Sequence, residues 1–105
     1  MTDERINRVL AEFMGWQWID YLHIKDENGN WIFDGSPFDP RNDANHAELA
    51  LIKLNPVDAR IWRVDGTFHC TILMGERYKD RYNGFGKTMA IAITDAINKA
   101  VGGAE

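Results

Sequence analysis

The segment from Arg77 to Thr88 combines cationic and aromatic side chains. Guanidinium and ammonium groups can pair with phosphates, and a phenol ring can stack on a nucleobase. The alternative is an amphipathic loop or edge strand whose long side chains cover apolar surface while their charged ends stay in water. The first interpretation predicts a surface for an anionic ligand or a partner, formed by Arg77, Tyr78, Lys79, Arg81, Tyr82 and Lys87.

The chain has four tryptophans, a large apolar content for its size. Trp16 and Trp18 lie two apart in a predicted strand, so they share one face of it. Either they belong to the core, since aromatic residues commonly dominate small cores, or they form an exposed aromatic surface for a partner. Under the second interpretation Trp16 and Trp18 are candidate binding residues.

Two arrangements of histidine and cysteine suggest catalysis and fail on spacing. His46-Ala47-Glu48 is similar to the start of a zinc deaminase signature, but that signature also needs a downstream Pro-Cys-x-x-Cys. Cys70 is the single cysteine of the chain, so the zinc site cannot form. His69 and Cys70 are neighbours in a predicted strand and therefore point to opposite faces. We expect Cys70 to be a core thiol and the histidines not to bind a metal.

Gly84-Phe85-Gly86-Lys87-Thr88 precedes a predicted helix and suggests a phosphate-binding loop. The phosphate-loop pattern requires a glycine five positions before its final glycine, and Arg81 occupies that position. A glycine turn that enters the helix is the simpler interpretation. With no nucleophile, acid–base pair or metal set in the sequence, we predict a protein that is not an enzyme and uses no cofactor.

The charge of the chain is −4 overall but is unevenly distributed. Residues 1–55 contain 5 cations and 10 anions, whereas residues 56–105 contain 7 cations and 6 anions. Net acidity argues against non-specific binding to duplex nucleic acid, which depends on cation–phosphate contacts. Residues 76–88 contain 4 cations against 2 anions, so a small anionic ligand or an acidic protein surface fits there.

Helical periodicity and end signals predict three helices. The first begins after an N-cap at Thr2 and stops at Gly15, with Asn7 on its polar side. The second covers Asp43 to Leu54, and the third covers Thr88 to Val101. Leu49 and Ile52 lie outside the apolar stripe of the second helix. The second helix is therefore either deeply buried or part of an oligomer contact, and the second alternative predicts a homo-oligomer that forms through Leu49 and Ile52.

The strands are predicted as two hairpins. The first pairs Trp16–Lys25 with Trp31–Phe33 around an Asn-Gly turn, and the second pairs Ala59–Asp65 with Thr67–Met74 around Asp65-Gly66. Residues 76–86 are predicted as a polar connection. The order α-ββ-α-ββ-α indicates an α+β domain over residues 1–105, a compact sandwich with an antiparallel sheet of about four strands packed with three helices.

The ends and the apolar stretches of the chain predict its compartment. The first residues, beginning Met1-Thr2-Asp3, are too polar for a signal peptide. The longest apolar stretches, such as Met89–Ile93, are far shorter than the roughly 20 residues needed to span a bilayer. One cysteine permits no intrachain disulfide. We therefore expect a soluble cytoplasmic protein with no membrane association.

Three segments carry a resemblance to a known family. Asn42-Asp43-Ala44-Asn45-His46-Ala47-Glu48, the stretch from Ile6-Asn7 to Gly15-Trp16, and the small-residue helix Met89-Ala90-Ile91-Ala92-Ile93 resemble the phage ABA-sandwich domain proteins. The resemblance covers most of the chain in the same order. It implies a three-layer fold with a sheet between helices, encoded in a bacteriophage or prophage genome. The family has no general activity, so no catalytic residue carries over.

The resemblance and the residues together favour a binding function. The resemblance implies a phage accessory protein in the cytoplasm of an infected bacterium, which counteracts a host defence system through a protein partner. The alternative is a sponge that sequesters an anionic signalling nucleotide through residues 77–88. An enzyme and a virion component are less favoured, because no catalytic set is legible in the sequence.

Overall fold

Three helices separate two groups of three antiparallel strands. The structure is a computed structural model that describes residues 3–75, 77 and 79–102. The order is α-βββ-α-βββ-α, which confirms the α+β class and the three helices; the sheet of about four strands is instead two three-stranded sheets, β1-β2-β3 and β4-β5-β6. The elements are α1 (Asp3–Phe13), β1 (Gln17–Asp20), β2 (His23–Lys25), β3 (Trp31–Asp34), α2 (Ala44–Leu54), β4 (Asp58–Val64), β5 (Thr67–Met74), β6 (Asp80–Gly86) and α3 (Met89–Ala100).

Helix α1 buries one apolar face, as its periodicity predicts. Ile6 and Leu10 lie in the core, and the helix ends before Gly15, which has a φ of +84°. The N-cap predicted at Thr2 lies outside the described residues. The prediction that Asn7 faces solvent is wrong. Asn7 is buried because its Nδ2 donates to Oδ1 of Asp39 at 3.3 Å, which ties α1 to the segment before α2.

The strand predicted over Trp16–Lys25 is two strands with a turn between them. Oδ1 of Asp20 accepts a hydrogen bond from the backbone N–H of Leu22 at 2.9 Å and lies 2.8 Å from Nδ1 of His23. This local bonding turns the chain back, so that β1 pairs with β2. The His23 side chain and then the Leu22 N–H lower the pKa of Asp20, because both stabilise its charged form.

The second sheet contains the second predicted hairpin and one strand that was not predicted. Strands β4 and β5 pair without a register shift from Asp58↔Leu73 to Val64↔Thr67. Their turn has positive φ at Asp65 and Gly66, as a tight hairpin requires. The connection predicted over residues 76–86 instead ends in β6, which pairs with β5 along its whole length.

Strand β6 was predicted as a connection because glycine usually indicates a turn. In β6 the glycines have a packing role instead. A Cβ at Gly84 would lie 2.3 Å from the backbone oxygen of Ala92 and 2.4 Å from the backbone nitrogen of Ala96. A Cβ at Gly86 would lie 2.3 Å from Cγ2 of Ile91. The predicted glycine turn into the helix is therefore wrong, since these glycines let the backbones of β6 and α3 approach each other.

Helices α2 and α3 begin and end close to their predicted bounds. Asp43 caps α2 by accepting from the N–H of Asn45 at 2.9 Å, and Thr88 caps α3 by accepting from the N–H of Ile91 at 3.2 Å. Helix α3 lies at the centre, because it packs on β5 and β6 and also contacts α1 and α2. One hydrophobic cluster draws on all three helices and on both sheets. Within the described part of the chain, no helix is long and apolar enough to cross a membrane.

We predict that Gly84→Ala destabilises the fold by about 3 kcal/mol or more, because the added methyl meets the fixed backbone of α3. Chemical denaturation followed by circular dichroism measures this loss. The matched control is Gly66→Asn, since nothing lies within 4 Å of that Cβ position and asparagine tolerates the left-handed φ of +78°. Equal stability of Gly84→Ala and the wild type would contradict the close approach of β6 to α3.

Candidate functional site

The outer face of the second sheet, the side turned away from α3, is the main exposed surface built from regular structure. On β5, Cys70 and Ile72 are fully buried on the inner side, and the residues between them point outwards. Directly opposed residues of paired strands share a face. The outer face therefore consists of Asp58, Arg60, Trp62, Val64, Thr67, His69, Thr71, Leu73, Arg81, Asn83 and Phe85.

Three rings form a row across the outer face, one from each strand. Trp62 lies opposite His69, which lies opposite Phe85. The rings of Trp62 and His69 are stacked at a centroid distance of 5.4 Å and an interplanar angle of 10°. The ring of Phe85 lies 6.2 Å from that of His69. Trp62 is 44% exposed and Phe85 is 58% exposed. Adjacent exposed aromatic residues are typical of a contact surface for a ligand or partner.

A shallow depression of about 420 Å³ lies beside the aromatic row. Its lining comes from all three strands: Arg60 and Trp62 from β4, Thr71 and Leu73 from β5, and Arg81 from β6. The two arginines therefore stand on either side of the central strand. An anion between them can accept charge-assisted hydrogen bonds from two guanidinium groups.

Polar side chains at the depression have identifiable partners. Nε of Arg60 donates to Oδ2 of Asp58 at 3.1 Å, a contact that does not use the two terminal amino groups of the guanidinium. The hydroxyl of Thr71 donates to Oδ1 of Asn83 at 2.8 Å, which holds these two side chains beside each other. Arg81 is exposed on the other side of β5. The depression thus presents fixed hydrogen-bonding groups between two cationic ones.

The structure does not gather the six predicted residues of segment 77–88 into one site. Arg81 lies on the outer face, but Tyr82 lies on the opposite side of β6 and packs against the core. Arg77 lies in the connection between β5 and β6, where it is exposed and has a φ of +59°. Of these three residues, the candidate site therefore contains Arg81 alone.

The two lysines of the predicted site lie at opposite ends of β6. Lys79 precedes the strand and Lys87 follows it, and both are exposed. A strand of 7 residues separates them, a length of roughly 20 Å. Tyr78 lies outside the described residues. One small ligand therefore cannot contact both lysines at once.

Trp16 and Trp18 belong to the first half of the fold, not to the outer face. Both are partly buried and pack against the core. The ring of Trp16 lies 5.8 Å from that of Phe33 and 5.2 Å from that of Phe38, in an aromatic cluster under the first sheet. This packing agrees with the core interpretation of these two tryptophans.

Leu49 and Ile52 lie on the exposed side of α2. Leu49 is 44% exposed and Ile52 is 66% exposed, whereas Ala47 and Ala50 of the same helix are fully buried. The helix is thus apolar on its buried side and partly apolar on its exposed side. Self-association through Leu49 and Ile52 stays a prediction.

The three histidines have separate surroundings. His46 accepts a hydrogen bond on Nδ1 from the N–H of Asp39 at 2.9 Å and contacts Phe33 and Phe38. His23 contacts Trp31 in the first sheet, and His69 belongs to the aromatic row. Among residues 3–75, 77 and 79–102, no group of three His, Cys, Asp or Glu side chains is placed to hold a metal ion.

The sequence contained part of the signal for the aromatic row. The Asp65-Gly66 turn fixes the register of β4 against β5, and this register places Trp62 opposite His69. Phe85 could not be added, because its segment was predicted as a connection without a strand register. The outer face was therefore missed as a unit, although most of its residues lie in predicted strands.

No protein-family profile, curated protein or solved structure matches this chain. The resemblance to the phage ABA-sandwich domain proteins accordingly stays a prediction.

We predict that Cys70 does not react with iodoacetamide in the folded protein at pH 8. The thiol is fully buried, so the reagent cannot reach the sulfur. Burial also raises the pKa of the thiol from 9.0 to about 11, so the reactive thiolate does not form at this pH. Mass spectrometry of alkylated protein, with and without guanidinium chloride, measures the reaction. The unfolded chain should be alkylated completely, and rapid alkylation of the native chain would contradict the core position of Cys70.

Proposed function

We propose that this protein acts by binding rather than by catalysis, and that its ligand is an anionic nucleotide held on the outer face of the second sheet. The observation that carries the proposal is the depression in which Arg60 and Arg81 stand on either side of the central strand β5, next to exposed aromatic rings. The ligand class is the one that the cationic segment 77–88 suggests, but the proposed site lies on the outer face of the second sheet.

The chemistry of the depression fits both parts of a nucleotide. A phosphate between the two guanidinium groups would receive charge-assisted hydrogen bonds, which are stronger than neutral ones. A nucleobase presents a flat π surface, and stacking on an aromatic side chain is worth about 1–3 kcal/mol per base. Trp62 and Phe85 offer such rings at the surface. The charged side chains of the outer face are Arg60, Arg81 and Asp58, of which Asp58 forms an ion pair with Arg60.

The proposed biological role rests on the resemblance to the phage ABA-sandwich domain proteins. Under that resemblance the protein is a phage-encoded accessory protein in the cytoplasm of an infected bacterium, and sequestering a signalling nucleotide would counteract a host defence system. Binding without turnover is sufficient for such a role. No step of it requires a nucleophile or a metal ion.

A protein partner on the same face is the second candidate. Trp and Arg are the residues that most often dominate protein–protein contacts, and Val64 extends the apolar part of the outer face beyond Trp62. Such a partner would be a host protein with an acidic patch opposite Arg60 and Arg81. The nucleotide is favoured over the protein, because the depression is small and presents its two cations on opposite sides of the central strand, β5.

Isothermal titration calorimetry with a panel of nucleotides tests the proposal. The panel contains a mononucleotide, cyclic mono- and dinucleotides, a short oligothymidine and inorganic phosphate. Saturable binding of a nucleotide, with weaker binding of phosphate alone, would support the proposal. Preference for the oligothymidine would identify single-stranded nucleic acid as the source of the nucleotide chemistry. Absence of binding by the whole panel, together with capture of a host protein through Trp62, would replace the proposal by the second candidate.

Arg81→Gln should weaken nucleotide binding by roughly tenfold to a hundredfold, because one charged hydrogen-bonding partner of the phosphate is lost. The same titration measures the loss. The matched control is Arg77→Gln, which removes the same charge from the exposed connection and should leave the affinity within about twofold. A larger effect of Arg77→Gln than of Arg81→Gln would place the ligand on the connection instead of the sheet.

Phe85→Ala should weaken the binding of a nucleotide by about fivefold to a hundredfold and leave the binding of inorganic phosphate unchanged, because the variant removes only a stacking surface. Circular dichroism should show an unchanged fold, since Phe85 is largely exposed. Equal losses for nucleotide and phosphate would mean that Phe85 supports the site without contacting the base.

A further inference from the structure

The two edges of the second sheet differ in how they are covered. At the β6 edge, Nζ of Lys99 donates to the backbone oxygen of Asn83 at 2.7 Å, and Oδ2 of Asp95 accepts from the backbone N–H of Phe85 at 3.3 Å. Helix α3 thus provides partners for the free edge of β6. Strand β4 pairs with β5 on one side only, and five of its seven residues are exposed.

The covered edge also reveals which backbone groups of β4 are free. In an antiparallel sheet, successive residues of a strand direct their N–H and C=O groups to alternate sides. Asn83 and Phe85 direct their backbone groups away from β5, towards α3. Gly84, which lies between them, therefore directs its N–H and C=O groups towards its partner Cys70. The neighbours of Cys70 on β5 direct their backbone groups to the other side, so the N–H and C=O groups of His69 and Thr71 bond to β4.

The partners of those two residues on β4 are Trp62 and Arg60, so Trp62 and Arg60 use their backbone groups within the sheet. The alternate residues Ala59, Ile61 and Arg63 direct their N–H and C=O groups out of the sheet. Strand β4 consequently presents three consecutive outward pairs of donors and acceptors, the arrangement that accepts a further strand.

Strand β4 carries the charged side chains of Asp58, Arg60 and Arg63, but it lacks the shortness and the irregular register of the strands in the first sheet. It is 7 residues long, contains no proline and pairs with β5 without a register shift. The strands of the first sheet have 3 or 4 residues each, and both of its pairings contain a register shift. Regular, long and partly apolar edges are the ones that add another strand. Ile61, in the middle of β4, is 40% exposed.

We propose that a second copy of this chain pairs with β4 through its own β4, antiparallel, about a two-fold axis at Ile61. In this register Ile61 lies opposite Ile61 of the second copy, and Ala59 lies opposite Arg63 of the second copy. Each of these pairs exchanges two backbone hydrogen bonds. The two three-stranded sheets then form one continuous antiparallel sheet.

Side-chain charges select this register. It places Arg60 opposite Trp62 of the second copy, where a guanidinium can lie against the indole ring, and Asp58 opposite Val64 of the second copy. No like charges are directly opposed. A shift by two residues in one direction opposes Arg60 to Arg60, which is unfavourable. The same two-residue shift in the other direction places Ala59 beyond the end of β4 of the second copy, so the two backbone hydrogen bonds of Ala59 are lost. The edge is therefore complementary to itself, which favours a second copy over an unrelated strand.

The pairing would join the two outer faces. Arg60 and Trp62 line the depression and also lie at the β4 edge, so the two depressions become neighbours across the axis. Arg60 and Trp62 belong both to the depression and to the register of the pairing. The outward backbone groups of β4 and the Ile61 side chain belong to the pairing alone, so variants at Ile61 distinguish it from the nucleotide site proposed above. The residues that it uses are also distinct from Leu49 and Ile52 on α2.

Sedimentation equilibrium and cross-linking test the pairing. The full chain should sediment as a dimer at micromolar concentration. Ile61→Cys should give a covalent dimer with a short bis-maleimide, since the two positions lie about 5.5 Å apart at the axis. Val64→Cys is the matched control, because it is similarly exposed but lies roughly 20 Å from its counterpart in this register. Cross-linking of Val64→Cys and not of Ile61→Cys would overturn the proposal.

A disruptive variant completes the test. Ile61→Lys places two ammonium groups at the axis and should convert the dimer into a monomer with unchanged circular dichroism, since Ile61 is not part of the core cluster. Ile52→Lys is the control on α2 and should leave the dimer intact. A monomeric wild-type chain, or a dimer that Ile52→Lys dissociates and Ile61→Lys does not, would overturn the proposal.

Discussion

The close contact between β6 and α3 is the constraint on which the rest of the second half depends. Gly84 allows the backbone of α3, and Gly86 allows the side chain of Ile91, to approach the strand to distances at which no Cβ would fit. The helix can lie this close because its facing residues, Ala92 and Ala96, are small and fully buried. This contact decides which face of the sheet is covered, and therefore which face is available for binding.

Covering one face of a three-stranded sheet leaves two kinds of surface with different chemistry. The inner face carries apolar side chains, and Cys70 and Ile72 on its central strand are fully buried. The outer face carries rings, hydroxyls and guanidinium groups that can exchange water for a ligand. The same helix supplies Asp95 and Lys99 to the edge of β6. The openness of the outer face and of the β4 edge therefore has one cause, the position of α3.

The chemically reactive side chains of the core and the exposed side chains of the outer face lie in different surroundings. Cys70 is enclosed and its pKa is raised by burial, so the one thiol of the chain is unsuited to nucleophilic chemistry. His46 is bonded to the backbone of Asp39 and enclosed by aromatic rings. By contrast, Trp62, Phe85 and Arg81 are exposed side chains on a rigid sheet.

The sequence by itself determined the three helices and the two tight turns, because these depend on side chains within a few residues of each other. Asp43, Thr88 and the Asp65-Gly66 pair act locally and were predictable. The tertiary structure alone decided that residues 80–86 form a strand, since the reason is the approach of a helix that follows later in the chain. It also decided the aromatic row of the outer face, because Trp62, His69 and Phe85 meet only when three strands are in register.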